Sequence, residues 1–150
     1  MKVREARICD AAAICSLVRD YAERDRMLFR SMADIYENIQ TFSVAEIDGQ
    51  VVGCCSLSVI WSDLAEIKSL AVEQSHKGSG IGKTLVRAAG ERASELGVLR
   101  VFALTMEPGF FEKLGFEIVD KGVFPMKVWS DCAKCPKQDH CDEVAVMKTL

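Results

Sequence analysis

The stretch AEIKSLAVEQSHKGSGIGKTLVRAAGERASEL, from Ala65 to Leu96, decides the fold of this chain. Residues 65–72 have the apolar pattern of a strand, and the apolar positions near the end of the stretch recur at helical spacing. Those helical positions are Leu85, Val86, Ala89, Ala93 and Leu96. Three glycines stand between the two patterns at alternate positions, Gly78, Gly80 and Gly82. The stretch therefore predicts a strand, a glycine turn and a helix, in that order.

A turn of this kind suits a phosphate group. Glycine lets the backbone approach a ligand closely and turn several N–H groups toward one point. The N-terminus of the following helix adds partial positive charge at the same place. We therefore expect the turn to hold phosphate, with a ligand-free glycine turn as the alternative.

Two familiar nucleotide motifs do not fit this turn. A P-loop would need glycine where Lys77 stands, five positions before Gly82. A dinucleotide-binding fingerprint would need glycine where Lys83 stands, three positions after Gly80. Both nucleotide interpretations are therefore weak.

The turn instead resembles the acetyl-CoA loop of the GNAT superfamily of N-acetyltransferases, written Gln/Arg-x-x-Gly-x-Gly/Ala. Here the loop reads KGSGIG, with Lys77 in place of the usual Gln or Arg, so the positive charge for a pyrophosphate is kept. The resemblance implies acetyl-CoA as the co-substrate. The loop residues that it implies for the cofactor are Lys77, Gly78, Ser79, Gly80, Ile81, Gly82 and Lys83.

Length and charge bound the class of protein. The chain has 150 residues, which suits one domain over residues 1–150. Its net charge of -3 and the lack of a basic run argue against nucleic acid as the main partner. The N-terminus lacks a signal peptide, and the longest apolar-rich run, residues 51–61, is too short to cross a membrane. We expect a cytoplasmic protein with neither nucleic acid nor membrane as partner.

Local patterns predict the other elements. Asp10 is expected to cap a first helix whose inner face includes Ile14 and Val18, and Ser31 a second that bears Ile35. Asp48-Gly49 predicts a hairpin turn. The further strands are predicted over residues 3–7, 42–47, 51–60, 98–104, 115–119 and 143–148, with a short helix over 110–114. The charged segment 23–30 between the first two helices is interpreted as a substrate lid or as an ordinary surface loop.

This order of elements resembles the GNAT fold over essentially the full length. The resemblance implies an α/β (α+β) class, with a mixed, mostly antiparallel central sheet flanked by helices and splayed between its two central strands. In that family the pantetheine arm lies in the splay. Carried over, Leu70, Ala71 and Val72 offer main-chain groups to the cofactor, and the N–H of Leu70 polarises the thioester carbonyl as an oxyanion hole.

Acetyl transfer to an amine also needs a base. The segment Ala-Glu-Ile at residues 65–67 resembles that of histone-type GNAT enzymes, so Glu66 is the candidate, with a strand carboxylate paired to lysine as the alternative. Many members carry an acid tyrosine where this chain has Phe111, in the segment FFEKLGF that begins at Phe110. The resemblance places Phe111 and Lys113 beside the cofactor. Because phenylalanine has no proton to give, the thiolate is expected to leave with solvent protonation.

Three strings resemble a narrower group, the short single-domain bacterial amino-acid N-acetyltransferases of the N-acetylglutamate synthase type. They lie at residues 66–72, at 102–105 with 110–116 and, most specifically, at 127–143. This implies acetyl transfer from acetyl-CoA to the α-amino group of L-glutamate, the first step of arginine biosynthesis. The alternatives are another small amine or amino acid such as glutamine, or a non-catalytic acyl-CoA or amino-acid sensing module.

Glutamate would need cations to meet its two carboxylates. The candidates are Arg26, Arg30, Lys68 and Lys127, each of which could instead be a solvated surface charge. The sequence leaves the oligomeric state open, with a homodimer as one possibility.

The chain has seven cysteines, an odd number that cannot pair completely within one chain. Cys132, Cys135, His140 and Cys141 supply four soft ligands within ten residues, which suggests zinc. A redox-labile dithiol and a packed loop of free thiols are the alternatives, the last being favoured. Acetyl transfer itself requires no metal, so no metal site is assigned.

Overall fold

The computed structural model describes residues 1–24, 27, 29–124 and 143–150. Two compact units make up the chain: the first comprises residues 1–58 and 67–92, and the second residues 59–66 and 93–150. The expected single domain over residues 1–150 stays a prediction.

Strands and helices follow the predicted order. The strands are β1 (Lys2–Glu5), β2 (Phe42–Ile47), β3 (Gln50–Trp61), β4 (Leu64–Val72), β5 (Arg100–Thr105), β6 (Glu117–Val119) and β7 (Val144–Thr149). The helices are α1 (Ala11–Glu23), α2 (Met32–Glu37), α3 (Ile81–Glu95) and α4 (Pro108–Glu112). No helix among the described residues is both long and apolar enough to cross a bilayer.

Within the described residues the seven strands form one sheet in the order β1-β2-β3-β4-β5-β7-β6. β4 and β5 are parallel, whereas β1–β2, β2–β3, β5–β7 and β6–β7 are antiparallel. The parallel ladder runs from the pair Leu64–Arg100 to the pair Glu66–Phe102. The predicted mixed, mostly antiparallel sheet is therefore confirmed.

The hairpin between β2 and β3 forms at the predicted turn. Ile47 pairs with Gln50, so Asp48 and Gly49 alone make the connection. Their φ angles are 51° and 78°, both left-handed, as a two-residue turn matched to the twist of the strands requires.

The core of the first unit lies where α1 and α2 pack on the sheet. Its fully buried members include Ile14, Val18, Ile35 and Phe42. Gly53 on β3 lets α3 approach, because an added Cβ there would come within 3.0 Å of side-chain atoms of Ile81 and Leu85. The first turns of α3 are thus fixed against β3.

Leu96, counted among the helical positions, lies one residue beyond the end of α3. Its side chain is 60% exposed, and α3 ends at Glu95. The cause is Gly97, which takes a left-handed φ of 87°. Val98 N–H then donates to the carbonyl of Ala93 at 3.0 Å, which is the bond of a Schellman motif that terminates the helix.

Asp10 is the N-cap residue of α1, as predicted, but its carboxylate is engaged outside that helix. Asp10 stands at the N-cap position of α1 but makes no side-chain cap bond to that helix. Its carboxylate instead accepts the N–H of Arg7 at 2.7 Å and two bonds from the Arg4 guanidinium at 2.8 and 3.0 Å. The bidentate arginine competes successfully because a charged fork binds a carboxylate more strongly than one helical N–H does.

We expect Asp10→Asn to lower the free energy of unfolding by about 2 kcal/mol at neutral pH, because it removes charge-assisted bonds in a buried site. The hydrogen bond from Arg4 holds the pKa of the Asp10 carboxyl below its usual range. The folded protein thus binds this proton less readily than the unfolded chain, so the contribution is present above about pH 4 and is lost on acidification below it. Urea unfolding at pH 7 and pH 3 tests this: equal midpoints for wild type and variant at pH 7 would contradict it.

The second unit has its own apolar cluster, formed by Leu64, Phe102, Phe124 and Ala145. The rings of Phe102 and Phe124 stack with centroids 4.2 Å apart. β5 lies inside the sheet, between β4 and β7. The short helix α4 starts at Pro108, two residues before the predicted start, because proline fits the first turn of a helix, where no N–H is needed.

Candidate active site

The glycine turn lies between a 3-10 turn, Gln74–His76, and the start of α3. Gly78 and Gly80 have φ angles of 82° and 86°, which side chains disfavour. An added Cβ would meet nothing within 4 Å at either position. Glycine is therefore needed here for the backbone conformation, and the space beside it is open for a ligand.

The start of α3 offers backbone donors next to this turn. The N–H and hydroxyl of Thr84 both bond to the carbonyl of Gly80, at 3.1 and 2.9 Å, and so begin the helical ladder. The N–H groups of Ile81, Gly82 and Lys83 precede that bond, and the first N–H groups of a helix have no partner within it. Lys83 is exposed, and the hydroxyl of Ser79 donates to the carbonyl of His76.

Lys77 opens the turn and is exposed. Its ammonium lies 4.9 Å from the centre of the Tyr21 ring, in cation–π contact. Tyr21 therefore connects helix α1 to the first residue of the predicted pyrophosphate loop.

Tyr21 also contacts the end of β4. Its hydroxyl lies 3.2 Å from both the N–H and the carbonyl oxygen of Val72, so it accepts from one and donates to the other. Of the three residues predicted to offer main-chain groups to pantetheine, Val72 thus already has its own groups engaged. Ala71 is fully buried, and Leu70 is half-buried.

Glu66, the predicted base, lies on β4 in the second unit. Its side chain is buried, with the residue 5% exposed, and it pairs with Phe102 in the parallel ladder. Among the described residues, Asp10 and Glu66 are the buried carboxylates. A buried carboxylate must have its charge compensated or a function that retains it.

Phe111 belongs to an aromatic cluster in the second unit. Its ring meets Phe110 edge-on at 5.1 Å and Phe116 at 5.2 Å between centroids. This residue is buried and supplies no proton donor. Lys113 stands at the C-cap of α4 and is exposed.

The predicted substrate cations have different surroundings. Arg30 is held by Asp34, with Nε 2.7 Å from Oδ2, and its side chain is 10% exposed. Lys68 lies close enough to Asp34 to help lower the pKa of that carboxyl, after the larger effect of Arg30. Arg26 and Lys127 lie outside the described residues.

The cysteine and histidine cluster of the C-terminal segment, Cys132, Cys135, His140 and Cys141, also lies outside the described residues. In the part of the chain that the structure describes, no three His, Cys, Asp or Glu side chains come together as metal ligands.

Most of these elements lie in a region of the chain whose sequence matches a known protein family. Residues 8–116 match the Acetyltransferase (GNAT) family. The chain belongs to the GNAT family of acetyltransferases. The predicted family and fold are confirmed, and this GNAT protein is an acetyl-CoA-dependent N-acetyltransferase.

Two relatives are similar in sequence. An uncharacterized N-acetyltransferase of Chlorobaculum tepidum is 47% identical over 148 residues, which cover 99% of this chain and 96% of that protein. An amino-acid acetyltransferase of Mycobacterium tuberculosis is 42% identical over 121 residues, which cover 79% of this chain and 69% of that protein.

Two solved structures are similar in fold. Rv2747 from Mycobacterium tuberculosis, in complex with CoA and NLQ, superposes with a TM-score of 0.88 at 32% identity, over 100% of this chain and 99% of its own. N-acetylglutamate synthase from Neisseria gonorrhoeae, complexed with coenzyme A and N-acetyl-glutamate, gives 0.90 at 26% identity. The match covers 99% of this chain but 35% of the gonococcal one, so this GNAT protein spans about a third of that enzyme.

The residues present in this GNAT protein suit acetyl-CoA. The open space at Gly78 and Gly80, the first N–H groups of α3 and two exposed lysines together provide donors and positive charge for a pyrophosphate. Bound there, acetyl-CoA would supply the activated acetyl group as a thioester.

Sequence reasoning missed several residues around β4. Tyr21, Asp34 and Cys54 are absent from the predicted site residues. The thiol of Cys54 lies 3.4 Å from the carbonyl oxygen of Ser69. The spacing of Arg30 and Asp34, four residues apart, was a visible signal for their pairing. The other contacts join residues far apart in the sequence and left no local signal.

Proposed function

We propose that this chain transfers the acetyl group of acetyl-CoA to the α-amino group of L-glutamate, as in the first step of arginine biosynthesis. The observation that carries the choice of acceptor is the 42% identity to the mycobacterial amino-acid acetyltransferase over 79% of this chain. The fold of N-acetylglutamate synthase, solved with CoA and N-acetyl-glutamate, supports the same acceptor.

The cofactor is held in two places. The turn from Lys77 to Lys83 takes the pyrophosphate through backbone N–H groups and lysine charge. The end of β4 takes the pantetheine arm at Leu70 and Ala71, whereas Val72, whose main-chain groups Tyr21 already binds, Phe111 and Lys113 stay predicted neighbours of the cofactor. The acetyl carbonyl then receives the N–H of Leu70, which stabilises the negative charge that develops on its oxygen.

Chemistry begins with the acceptor as an ammonium ion. Glu66 takes one proton from it, directly or through water, and the free amine nitrogen attacks the thioester carbon. The nitrogen of the tetrahedral intermediate gives up its second proton to solvent, the intermediate collapses, the C–S bond breaks, and CoA leaves as a thiolate. Since Phe111 cannot donate, solvent protonates the thiolate. The products are the N-acetylated amino acid and CoA, and no metal takes part.

The acceptor itself carries two carboxylates, which call for cations. Arg26, Arg30, Lys68 and Lys127 are the candidates to bind them. A cytoplasmic location and a homodimer stay predictions.

Release of CoA thiol from acetyl-CoA, measured with a panel of amino acids, tests this proposal. Because the protein has seven thiols of its own, each reaction needs a blank without acceptor. We expect release with glutamate at a kcat/KM at least about tenfold above that with glutamine or aspartate, because glutamine lacks the second carboxylate and aspartate holds it one methylene closer to the amine. Preferential release with another amine would move the assignment to that amine. Binding of acetyl-CoA without release for any acceptor would favour a sensing module.

A further inference from the structure

Ser69 has an unusual backbone conformation for a residue inside a strand. Its φ is 54°, in the left-handed region, in the middle of β4. Among the described residues, the other non-glycine residue with positive φ is Asp48, where the hairpin turn requires it. No turn requires it at Ser69, so other contacts must hold this strained conformation.

The side chain of Ser69 is held by an arginine. Nη1 of Arg30 donates to the Ser69 hydroxyl oxygen at 3.1 Å. The guanidinium is itself fixed, since Nε and Nη2 donate to the two carboxylate oxygens of Asp34 at 2.7 and 3.4 Å. Its carbon lies 5.1 Å from the centre of the Phe42 ring. Arg30 is thus restrained on three sides.

Asp34 is anchored in turn at the start of α2. Its backbone N–H donates to the Ser31 hydroxyl at 3.1 Å, and the Asn38 side chain donates to its Oδ1 at 2.8 Å. The hydrogen bond from Arg30 is the main reason that the pKa of the Asp34 carboxyl is lowered. The carboxylate therefore stays charged and keeps the arginine in place.

The carbonyl of Ser69 is held from another element, β3. The thiol of Cys54 donates to that oxygen at 3.4 Å. Cys54 is fully buried, and burial raises the pKa of its thiol to about 12. The thiol therefore keeps its proton, and remains a donor, at any physiological pH.

The carbonyl of Ser69 and the N–H of Leu70 belong to one peptide group. A peptide group is planar and trans, so its C=O and N–H point in opposite directions. Whatever fixes the Ser69 oxygen therefore also fixes the direction of the Leu70 N–H.

We propose that Arg30, Asp34 and Cys54 are positioning residues for acetyl transfer: by holding Ser69 at its hydroxyl and at its carbonyl, they aim the Leu70 N–H at the thioester oxygen. This inference rests on the proposed role of Leu70 as the oxyanion donor. It also limits Arg30 as a substrate ligand, because three of its five N–H donors already contact Asp34 and Ser69.

Cys54 offers the sharpest test, since its neighbour is a matched control. Cys54 and Cys55 are both buried on β3, but the Cys55 thiol contacts the carbonyl of Ser56. We expect Cys54→Ala to lower kcat about tenfold, part of the loss seen when an oxyanion donor is removed, with both KM values within about twofold. Cys54→Ser, which restores a donor, should recover most of the rate. Cys55→Ala, which opens a similar cavity, should keep the wild-type kcat.

Asp34→Asn tests whether Arg30 positions the Ser69 hydroxyl. Asp20→Asn is its control, because Asp20 also pairs with an arginine four residues away. The inference predicts a fall in kcat for Asp34→Asn alone. A rise in KM for the acceptor at unchanged kcat would instead make Arg30 a substrate ligand and overturn its positioning role. An unchanged kcat in Cys54→Ala would overturn the role of the thiol.

A readout without an acceptor keeps this inference separate from the proposed function. In 15N-labelled protein, the Leu70 amide signal and its hydrogen exchange should change in Cys54→Ala and Asp34→Asn but not in the two controls. If the amide changes while no amino acid is acetylated, the hold on Ser69 is supported and the proposed function fails. If acetylation proceeds and the Leu70 amide is the same in all variants, the inference fails and the proposed function stands.

Discussion

Replacing Glu66 by glutamine should lower kcat about a hundredfold or more and leave KM for acetyl-CoA nearly unchanged. Glutamine has the shape of glutamate but cannot take a proton from the acceptor. The residue is buried on β4 and paired with Phe102, so an isosteric side chain avoids a cavity or clash. The variant therefore removes the proposed base while preserving packing.

The decisive comparison is the pH dependence of CoA release by the variant. Raising the pH increases the fraction of acceptor present as free amine, so the defect of Glu66→Gln should shrink as pH rises. Asp10→Asn is the control, because it neutralises the other buried carboxylate of the described residues and should affect unfolding rather than kcat. Full activity in Glu66→Gln would remove Glu66 from the mechanism, and a defect that is constant with pH would give it a role other than base.

Local signals in the sequence predicted most of the fold. Asp48-Gly49 fixed the hairpin because its two positions tolerate positive φ, and β4 and α3 appeared with nearly their predicted bounds. The end of α3 was misjudged at Leu96 because apolar spacing was followed one residue too far. Gly97, the residue that ends the helix, was visible in the sequence as a C-terminal signal.

The candidate site likewise has one part that the sequence predicts and one part that it does not. The glycine turn is continuous in sequence, so its motif could be read directly. The contacts that fix Ser69 could not be predicted from the sequence, because Arg30 lies 39 residues before it and Cys54 lies on another strand. Serine also gives no compositional hint of a left-handed conformation, as glycine would.

The contact between Tyr21 and Val72 shows why residue types alone mislead. With phenylalanine at position 111, the sequence assigns neither of the chain's two tyrosines to the site. In the structure Tyr21 instead binds both main-chain groups of Val72 and places its ring under Lys77. It therefore connects the strand proposed for pantetheine to the turn proposed for pyrophosphate.

That turn gives the second large effect. Gly80→Ala should raise KM for acetyl-CoA about tenfold, equivalent to about 1.4 kcal/mol of lost binding, while kcat at saturation changes little. The new methyl group meets nothing within 4 Å, so crowding is not the cause. Alanine disfavours the φ of 86° at this position, and relief of that strain would turn the N–H groups away from the pyrophosphate.

Gly49→Ala separates this effect from general destabilisation. Gly49 also has a positive φ, 78°, and equally open space, but it lies in the β2–β3 hairpin turn. Both variants should lose a similar free energy of unfolding, about 1 kcal/mol, in urea titrations. Only Gly80→Ala should weaken the binding of acetyl-CoA, which is measured by KM and by direct titration with CoA. If both variants bound acetyl-CoA equally weakly, strain anywhere in the first unit would impair cofactor binding. If neither variant bound it more weakly, the pyrophosphate would bind elsewhere.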